Sequence, residues 1–578
     1  MSPEAGPEAS PGAGPGAAPG AGTVSHDGQG CPAVPGRTLF DYADALRVEV
    51  ATSCRRSGRC HECVVEVTEG ADALSPPAPA EAFLRPPYRL ACQATVARAD
   101  AGIAFAPLRR RPKILTGGPE RPAAELDPTV TLAGDEVRLD GRPIDRFRGH
   151  LLGLAIDLGT TTLVIDLVDL ATGRVLGTAS CANPQRFGGS DVMHRITYDG
   201  AQPGELQRSA AAAINGEIGG LCDRLGLPRR AIYEVALAGN ATMRDLFFRL
   251  DVQPIGQRPY KSVIETAWRA GERPSSAIEE NAQRLGLKVH PKARAYGLPL
   301  VASHVGGDMA ADLVAIDRAF GSDETAMLVD IGTNTEVAVL RGRRLMVASC
   351  PAGPAFEGGL VTYGMPGQDG AIESLRLAPD GRCVEHRTIG GLPAQGLCGS
   401  GLIDLLAELR RHGLMTAKGV FTADRRRQSM AVLPERGITF SREDASHLAQ
   451  AKAANTSGQW IVMRAFGVEP AEVDRLYLAG GFANYIDVGN AIAIGLLPPV
   501  PESRILKIGN AAVEGARRVL LSRRLRRALE ERVKEAEHVE LETTPDFFEI
   551  FVEGCQLKPM PDRLQPGGPA TPVVGLAS

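Results

Sequence analysis

The chain has 578 residues, 44% hydrophobic and 23% charged, with a formal net charge of −4. That length allows several domains, each with a buried core, and the composition is that of an ordinary globular protein. Near-neutral charge with scattered basic runs (Arg109–Arg111, Arg425–Arg427, Arg523–Arg527) gives no nucleic-acid footprint, no apolar run is long enough to cross a bilayer, and eleven dispersed cysteines do not form a secreted disulfide framework. The expected compartment is the cytoplasm.

Residues 1–35 read as a Pro/Gly/Ala-rich tail without fixed structure. Its start, MSPEAGPEASPGAGPGAAPGAG, lacks the basic and apolar regions of a signal peptide. The segment Gly22–Gly36 is short and weak as a two-stranded hairpin. Next, TLFDYADALRVEV sets Leu39, Ala43 and Leu46 on one face of a helix.

The stretch SCRRSGRCHECVVEV then places Cys54, Cys60 and Cys63 within ten residues, and Cys92 follows in YRLACQATV. Three ligands from one tight loop and a fourth from a distant segment is how plant-type ferredoxins hold a [2Fe–2S] cluster. A structural zinc site is the competing reading, but it usually shows two close cysteine pairs, not this spacing. Ser57 and Gly58 suit a loop that wraps closely, whereas His61 stands where such loops often carry glycine. Arg55, Arg56 and Arg59 read either as solvated or as tuning and steering charges. After them, CVVEVTEG alternates like a half-buried strand that ends in a turn. Residues 36–107 are thus expected as a ferredoxin-like domain and 108–149, rich in Pro, Arg and Gly, as a linker.

From Leu151 the text reads LLGLAIDLGTTTLVIDLVDLATGRVLGTA: strand, turn of small hydroxyl residues, strand, turn, strand. From Ala326 the same grammar returns in AMLVDIGTNTEVAVLRGRRLMVASC. YEVALAGNATM (Tyr233–Met243) and DRLYLAGGFANY (Asp474–Tyr485) follow their respective copies in matched order. The pattern is an internal duplication with a larger insertion in the second copy. It predicts two related lobes facing a cleft, lobe I with a middle region over 150–325 and lobe II over 326–558, then a second tail over 559–578.

The turns suit phosphate chemistry. Asp157 and Asp330 end strands and would hold Mg²⁺ through its waters or position an attacking water. Gly159 and Gly332 admit close backbone approach, and Thr160, Thr161, Thr162, Thr333 and Asn334 can donate to phosphate oxygens. Gly480 and Gly481, with Phe482 after them, would let adenosine lie against bare backbone.

Taken together the chain resembles the actin / sugar kinase / Hsp70 ATPase superfamily, and within it the ferredoxin-fused ATPases that reductively activate corrinoid proteins. Further segments that carry this resemblance are NPQRFGGSDVMHRI (from Asn183), HVGGDMAADLVA (from His304), SCPAGPAFEGG (from Ser349), GLCGSGLIDLLAEL (from Gly396) and GGFANYIDVGNAIAIGLLP (from Gly480). The second hairpin departs from the pattern at Thr335, where relatives commonly have glycine. The resemblance implies an α/β multidomain protein: an N-terminal β-grasp [2Fe–2S] ferredoxin domain, a linker, and a duplicated two-lobed actin/Hsp70-like (RNase H-like) ATPase. It implies an enzyme using ATP and Mg²⁺ to return the Co(II) corrinoid of a methyltransferase system to Co(I). Its partners would be a corrinoid protein and an upstream reductase or ferredoxin as electron donor, with homodimerisation common in the superfamily. An activator of another low-potential metalloenzyme, a small-molecule kinase, and an ATP-dependent chaperone-like module for a corrinoid protein are the alternatives.

Overall fold

The computed structural model describes residues 22–108, 126–316, 319–422, 428–481 and 483–561. The chain divides into two units, Met1–Leu108 and Arg109–Ser578.

In the first unit β1 (Thr23–His26) and β2 (Gln29–Pro32) form a hairpin, followed by α1 (Leu39–Ala45), β3 (Val64–Glu69), β4 (Tyr88–Leu90) and β5 (Ile103–Pro107). The sheet order is β2-β1-β5-β3-β4, with β1 parallel to β5: a β-grasp. The hairpin corrects the expectation that residues 1–35 are all tail. Its strands are only four residues each, and they are fixed by pairing with β5, Val24 opposite Ile103 and Ser25 opposite Ala104. Residues 1–21 lie outside the described ones. α1 starts because Thr38 and Asp41 form a reciprocal capping box. It buries Leu39, Phe40, Tyr42 and Ala43, while Leu46 is its C-cap.

The second unit opens with a three-stranded antiparallel sheet, β6 (Val130–Ala133), β7 (Glu136–Leu139) and β8 (Arg142–Arg146). The described part of the expected linker is therefore folded. Its anchors are long-range: Asp127 pairs with Arg523, and Asp140 with Arg294.

Lobe I follows: β9 (Leu152–Leu158), β10 (Thr162–Asp169), β11 (Val175–Ala182), α2 (Val192–Ala201), α3 (Glu205–Leu225), β12 (Ile232–Ala238), α4 (Ala241–Phe247), α5 (Val263–Arg269), β13 (Ile278–Asn281), β14 (Arg294–Gly297) and α6 (Gly307–Ala315). Lobe II contains β15 (Ala326–Ile331), β16 (Thr335–Arg341), β17 (Arg344–Cys350), β18 (Ala371–Leu377), β19 (Cys383–Thr388), β20 (Gly396–Leu397), α7 (Gly399–Arg411), β21 (Ser429–Leu433), β22 (Ile438–Ser441), α8 (Arg442–Phe466), β23 (Arg475–Ala479), α9 (Val488–Ala493) and β24 (Ile505–Gly509). The chain ends with α10 (Ala511–Leu521), α11 (Arg523–Arg532), β25 (Ala536–His538) and α12 (Phe547–Gly554).

The two main sheets are built alike. Each begins with a three-strand antiparallel meander, and its fourth strand lies parallel beside the first: β11-β10-β9-β12-β14-β13 and β24-β23-β15-β16-β17-β25. The central strands β9, β12 and β15 are apolar and almost fully buried, as parallel pairing covered on both faces requires.

Two boundaries differ from the sequence reading. α10 lies in the stretch assigned to lobe II but packs on β9, β12 and α6 of lobe I. At Gly515 a Cβ would stand 1.9 Å from the carbonyl oxygen of Ala311, so these two helices meet backbone to backbone. Met560, in the expected C-terminal tail, is buried, so packed chain continues past 558; residues 562–578 lie outside the described ones. Arg526 is not a solvated helix end either: it is buried, pairs with Glu234 and lies over the Tyr296 ring.

Candidate functional site

In the first unit the four expected cysteines come together as two pairs. The sulfurs of Cys63 and Cys92 are 3.4 Å apart. Cys54 and Cys60 interact through a side-chain hydrogen bond. The loop between them bends through left-handed backbone at Arg55, Arg56, Gly58 and His61. His61 thus does take a conformation that glycine adopts more easily, and its imidazole stacks on Phe83 with 4.2 Å between ring centroids. Arg56 is tied down on Asp41, Asp44 and the Phe40 ring.

Burial alone would raise the Cys54 thiol, but hydrogen bonds from Ser57 and Cys60 bring it down to about 5. Cys92 falls to about 6 through its contact with Cys63, burial opposing, and the proton between them is held on Cys63. Gln93 also donates to the Cys92 sulfur at 3.3 Å. Two pairs of thiols, each able to cap one iron, fit a binuclear cluster.

In the second unit, the ends of β9 and β15 bring Asp157 and Asp330 into one cavity of about 1100 Å³ of atom-free space, partly open to solvent. Gly159, Thr160, Thr161, Thr162, Gly332, Thr333, Asn334, Gly480 and Gly481 line the same cavity. Phe482 lies outside the described residues. The first hairpin is braced from below: Asn183 donates to the Gly159 carbonyl at 2.8 Å and buried Arg195 to the Thr160 carbonyl at 2.7 Å. Asn240, the cap of α4, donates to the Thr160 hydroxyl at 3.0 Å. In the second hairpin Thr335 sits in β16, buried and extended, where a β-branched residue is at ease. The turn itself is made by Gly332 to Asn334. Gly480 has φ of +114°, and a Cβ there would lie 2.2 Å from the Ile331 carbonyl oxygen.

Sequence reasoning did not find several polar groups here. Asn510 donates to Asp157 at 2.8 Å across the lobes. Asp308 and Asp312 stand one turn apart on α6, a spacing visible in GGDMAADLVA that reads first as an ordinary helix face. Glu336 follows Thr335 on β16. Burial pushes Asp157 up to about 7, with the Asn510 amide opposing and Asp330 and Asp308 adding; burial with Asp330 nearby does the same to Asp308. Asp330, Asp312 and Glu336 are raised too, burial being the main cause. Asp312 is fully buried and meets the Asp330 carboxyl in a hydrogen bond, the proton being held on Asp312. Such an acid needs a proton or a cation. Glu357, from the segment SCPAGPAFEGG, reaches both hairpins at once: its Oε2 accepts from Thr161 at 2.8 Å and from Thr333.

Three family models match the chain: the 2Fe-2S iron-sulfur cluster binding domain over residues 23–97, the RACo middle region over 152–318, and the C-terminal ASKHA domain of RACo over 324–566. The first begins at the hairpin. The corrinoid activation enzyme RamQ of Eubacterium limosum is 30% identical over 448 residues, 73% of each chain. The [Co(II) methylated amine-specific corrinoid protein] reductase of Methanosarcina barkeri is 23% identical, over 70% of this chain and 77% of that one. Among solved structures, a reductive activator for a corrinoid, iron–sulfur protein superposes with a TM-score of 0.67 at 27% identity, covering 93% of this chain and 98% of its own. With an iron–sulfur ferredoxin unit and an actin/sugar kinase-like domain in one polypeptide, the chain belongs to the ferredoxin-fused family of corrinoid reductive activators.

Proposed function

We propose that this protein is an ATP-hydrolysing reductive activator that returns the Co(II) corrinoid of a cobalamin-dependent methyltransferase system to Co(I). The observation that carries this reading is the meeting of two duplicated hairpins around one polar cavity, in a chain that also gathers four thiols in pairs.

Cys54 with Cys60, and Cys63 with Cys92, would hold a [2Fe–2S] cluster. When bound, the cluster supplies one-electron transfer. The protein's part is to hold its thiols in a loop with left-handed turns and keep Cys63 and Cys92 from water. The electron would come from a separate reductase or ferredoxin.

In the cleft, Thr161, Thr333 and Asn334 would donate to the phosphate oxygens of ATP from opposite sides. Asp157 and Asp330 would hold Mg²⁺ through its waters or orient the attacking water. The gathering of buried carboxyls, with Asp312 hydrogen-bonded to Asp330, supports a cation in this corner. Gly480 and Gly481 leave backbone bare for the nucleoside.

Reducing Co(II) calls for a very low potential. ATP can make up the deficit only if it binds two arrangements of the protein with different affinity and so shifts their populations. The cleft between lobes I and II is the bistable element this requires. The seven cysteines outside the cluster set, none of them in a disulfide, fit a reducing, cytoplasmic setting.

The test is anaerobic. Iron-loaded protein, a Co(II) corrinoid protein from the same organism and a reductant are mixed, and spectra are recorded with and without MgATP. Growth of the Co(I) band only with MgATP supports the proposal. A reduced cluster with cobalt indifferent to ATP for every available corrinoid partner would remove it, leaving the fold and family intact.

A further inference from the structure

Glu357 stands where the phosphate chemistry of the hairpins leads to no carboxylate. It closes the short turn Ala355–Glu357 after β17. Its Oε2 takes hydrogen bonds from the hydroxyls of Thr161, in lobe I, and Thr333, in lobe II, and these hydroxyls are themselves 2.7 Å apart. Each threonine hydroxyl has one proton to give. A proton spent on Glu357 is not available to a phosphate oxygen, so carboxylate and phosphate compete for the same two donors. They also share the sign of their charge, in a cavity where burial already makes the Glu357 carboxylate unfavourable. Repulsion between two anions is screened far less there than in water.

The turn has somewhere to send such a displacement. Gly358 follows with φ of +89°, and a Cβ on it would lie 2.4 Å from the backbone of Met365. The turn therefore rests directly on the returning segment of its own loop. Between the two contacts Leu360 is held with φ of +65° and is 65% exposed. On the far side Pro366 and Gly367 line the cavity again. One short loop thus joins the phosphate position to the surface of lobe II.

We propose that Glu357 competes with the nucleotide's phosphate for Thr161 and Thr333, and that its displacement moves the loop 358–367, which reports nucleotide occupancy at the surface. This rests on the nucleotide reading given above. Glu357 is accordingly a positioning residue: it acts on the phosphate through the two threonines.

Calorimetric titration of the full-length protein with the magnesium complex of AMP-PNP, a non-hydrolysable ATP analogue, tests this with Glu357→Ala and Glu357→Gln. Glu357→Ala should bind at least about tenfold more tightly than wild type. Glu357→Gln, which keeps an acceptor but loses the charge, should fall between. Hydrogen exchange in 358–367 should change on nucleotide binding in wild type and show little further change in Glu357→Ala. Weaker or equal binding in both variants, with exchange elsewhere unaltered, overturns the proposal and makes Glu357 a ligand of the metal or of the attacking water. Wild-type protein that binds no nucleotide would remove the functional reading and this inference with it. Should Glu357→Ala not fold, Glu357→Gln alone carries the comparison, and unchanged affinity in it is the overturning result.

Discussion

Five acids, Asp157, Asp308, Asp312, Asp330 and Glu336, lie close together at the cleft, and burial is the main cause that holds each above its ordinary range. Asp166, on β10 and outside that group, shows the burial effect more simply. Burial raises it to about 6, with the Thr178 hydroxyl opposing and Glu514 adding to the rise. The folded chain then holds this proton more tightly than the unfolded chain, so stability falls as pH rises from about 4 to about 6 and levels off above. Asp166→Asn should remove its share of the slope. Relative to wild type, the variant should gain up to roughly 3 kcal/mol between pH 4 and pH 7, read as the difference in melting temperature across that range. Not every residue of the cleft was equally legible. Asp157 and Asp330 could be read because each ends an apolar strand and precedes a glycine turn, twice over. Asp312 could not, because two acids one turn apart in GGDMAADLVA have the look of a solvated helix face, and only the packing of α6 shows that Asp312 is buried. Thr335 was read as a departure within the second hairpin, at a position where relatives commonly have glycine, but stands in a strand, where its branch is favourable.

Elements formed by local signals were the easiest to place. The apolar face of α1, read from TLFDYADALRVEV, and the capping box that starts the helix lie within a few residues of text. The hairpin β1–β2 was missed because its order comes from pairing with β5, and β6–β8 because ion pairs to Arg294 and Arg523 hold their region to distant chain. The position of α10 was equally hidden, since nothing in AAVEGARRVLL names its partner. Gly515 decides that position. Alanine would favour the helix by about 1 kcal/mol, but its Cβ would collide with the Ala311 carbonyl. The collision outweighs the propensity, so Gly515→Ala should destabilise lobe I by on the order of 3 kcal/mol. Thermal unfolding of the full chain measures it, and an unchanged or raised melting temperature would mean that α10 and α6 are farther apart than described.

At the scale of the molecule, the chemistry is divided between units that each carry a core of their own. Cys60→Ser should therefore lose the visible bands of the iron–sulfur cluster and with them electron delivery, while nucleotide affinity stays within about twofold of wild type. Asp330→Ala should do the opposite, keeping the bands and losing ATP-dependent activation by about a hundredfold or more. Equal loss of both properties in either variant would count against a division of labour. The duplication itself was legible because strand, turn and glycine recur in the same order. The boundaries of its halves were not, since the chain returns to lobe I with α10 before adding β25, the last strand of the main sheet of lobe II.

That return has a consequence for how the protein is made. Asn510 meets Asp157 across 353 positions of chain, and α10 covers α6 only after nearly all of lobe II has been synthesised. At ribosomal speeds of about 5–20 residues per second, the roughly 200 residues between α6 and α10 make the first lobe wait on the order of 10–40 s for its last helix. During that interval the apolar faces of β9, β12 and α6 are short of their cover. The nascent first lobe is thus expected to be a client of chaperones, and chains truncated before residue 511 to be aggregation-prone even though every strand of lobe I is present.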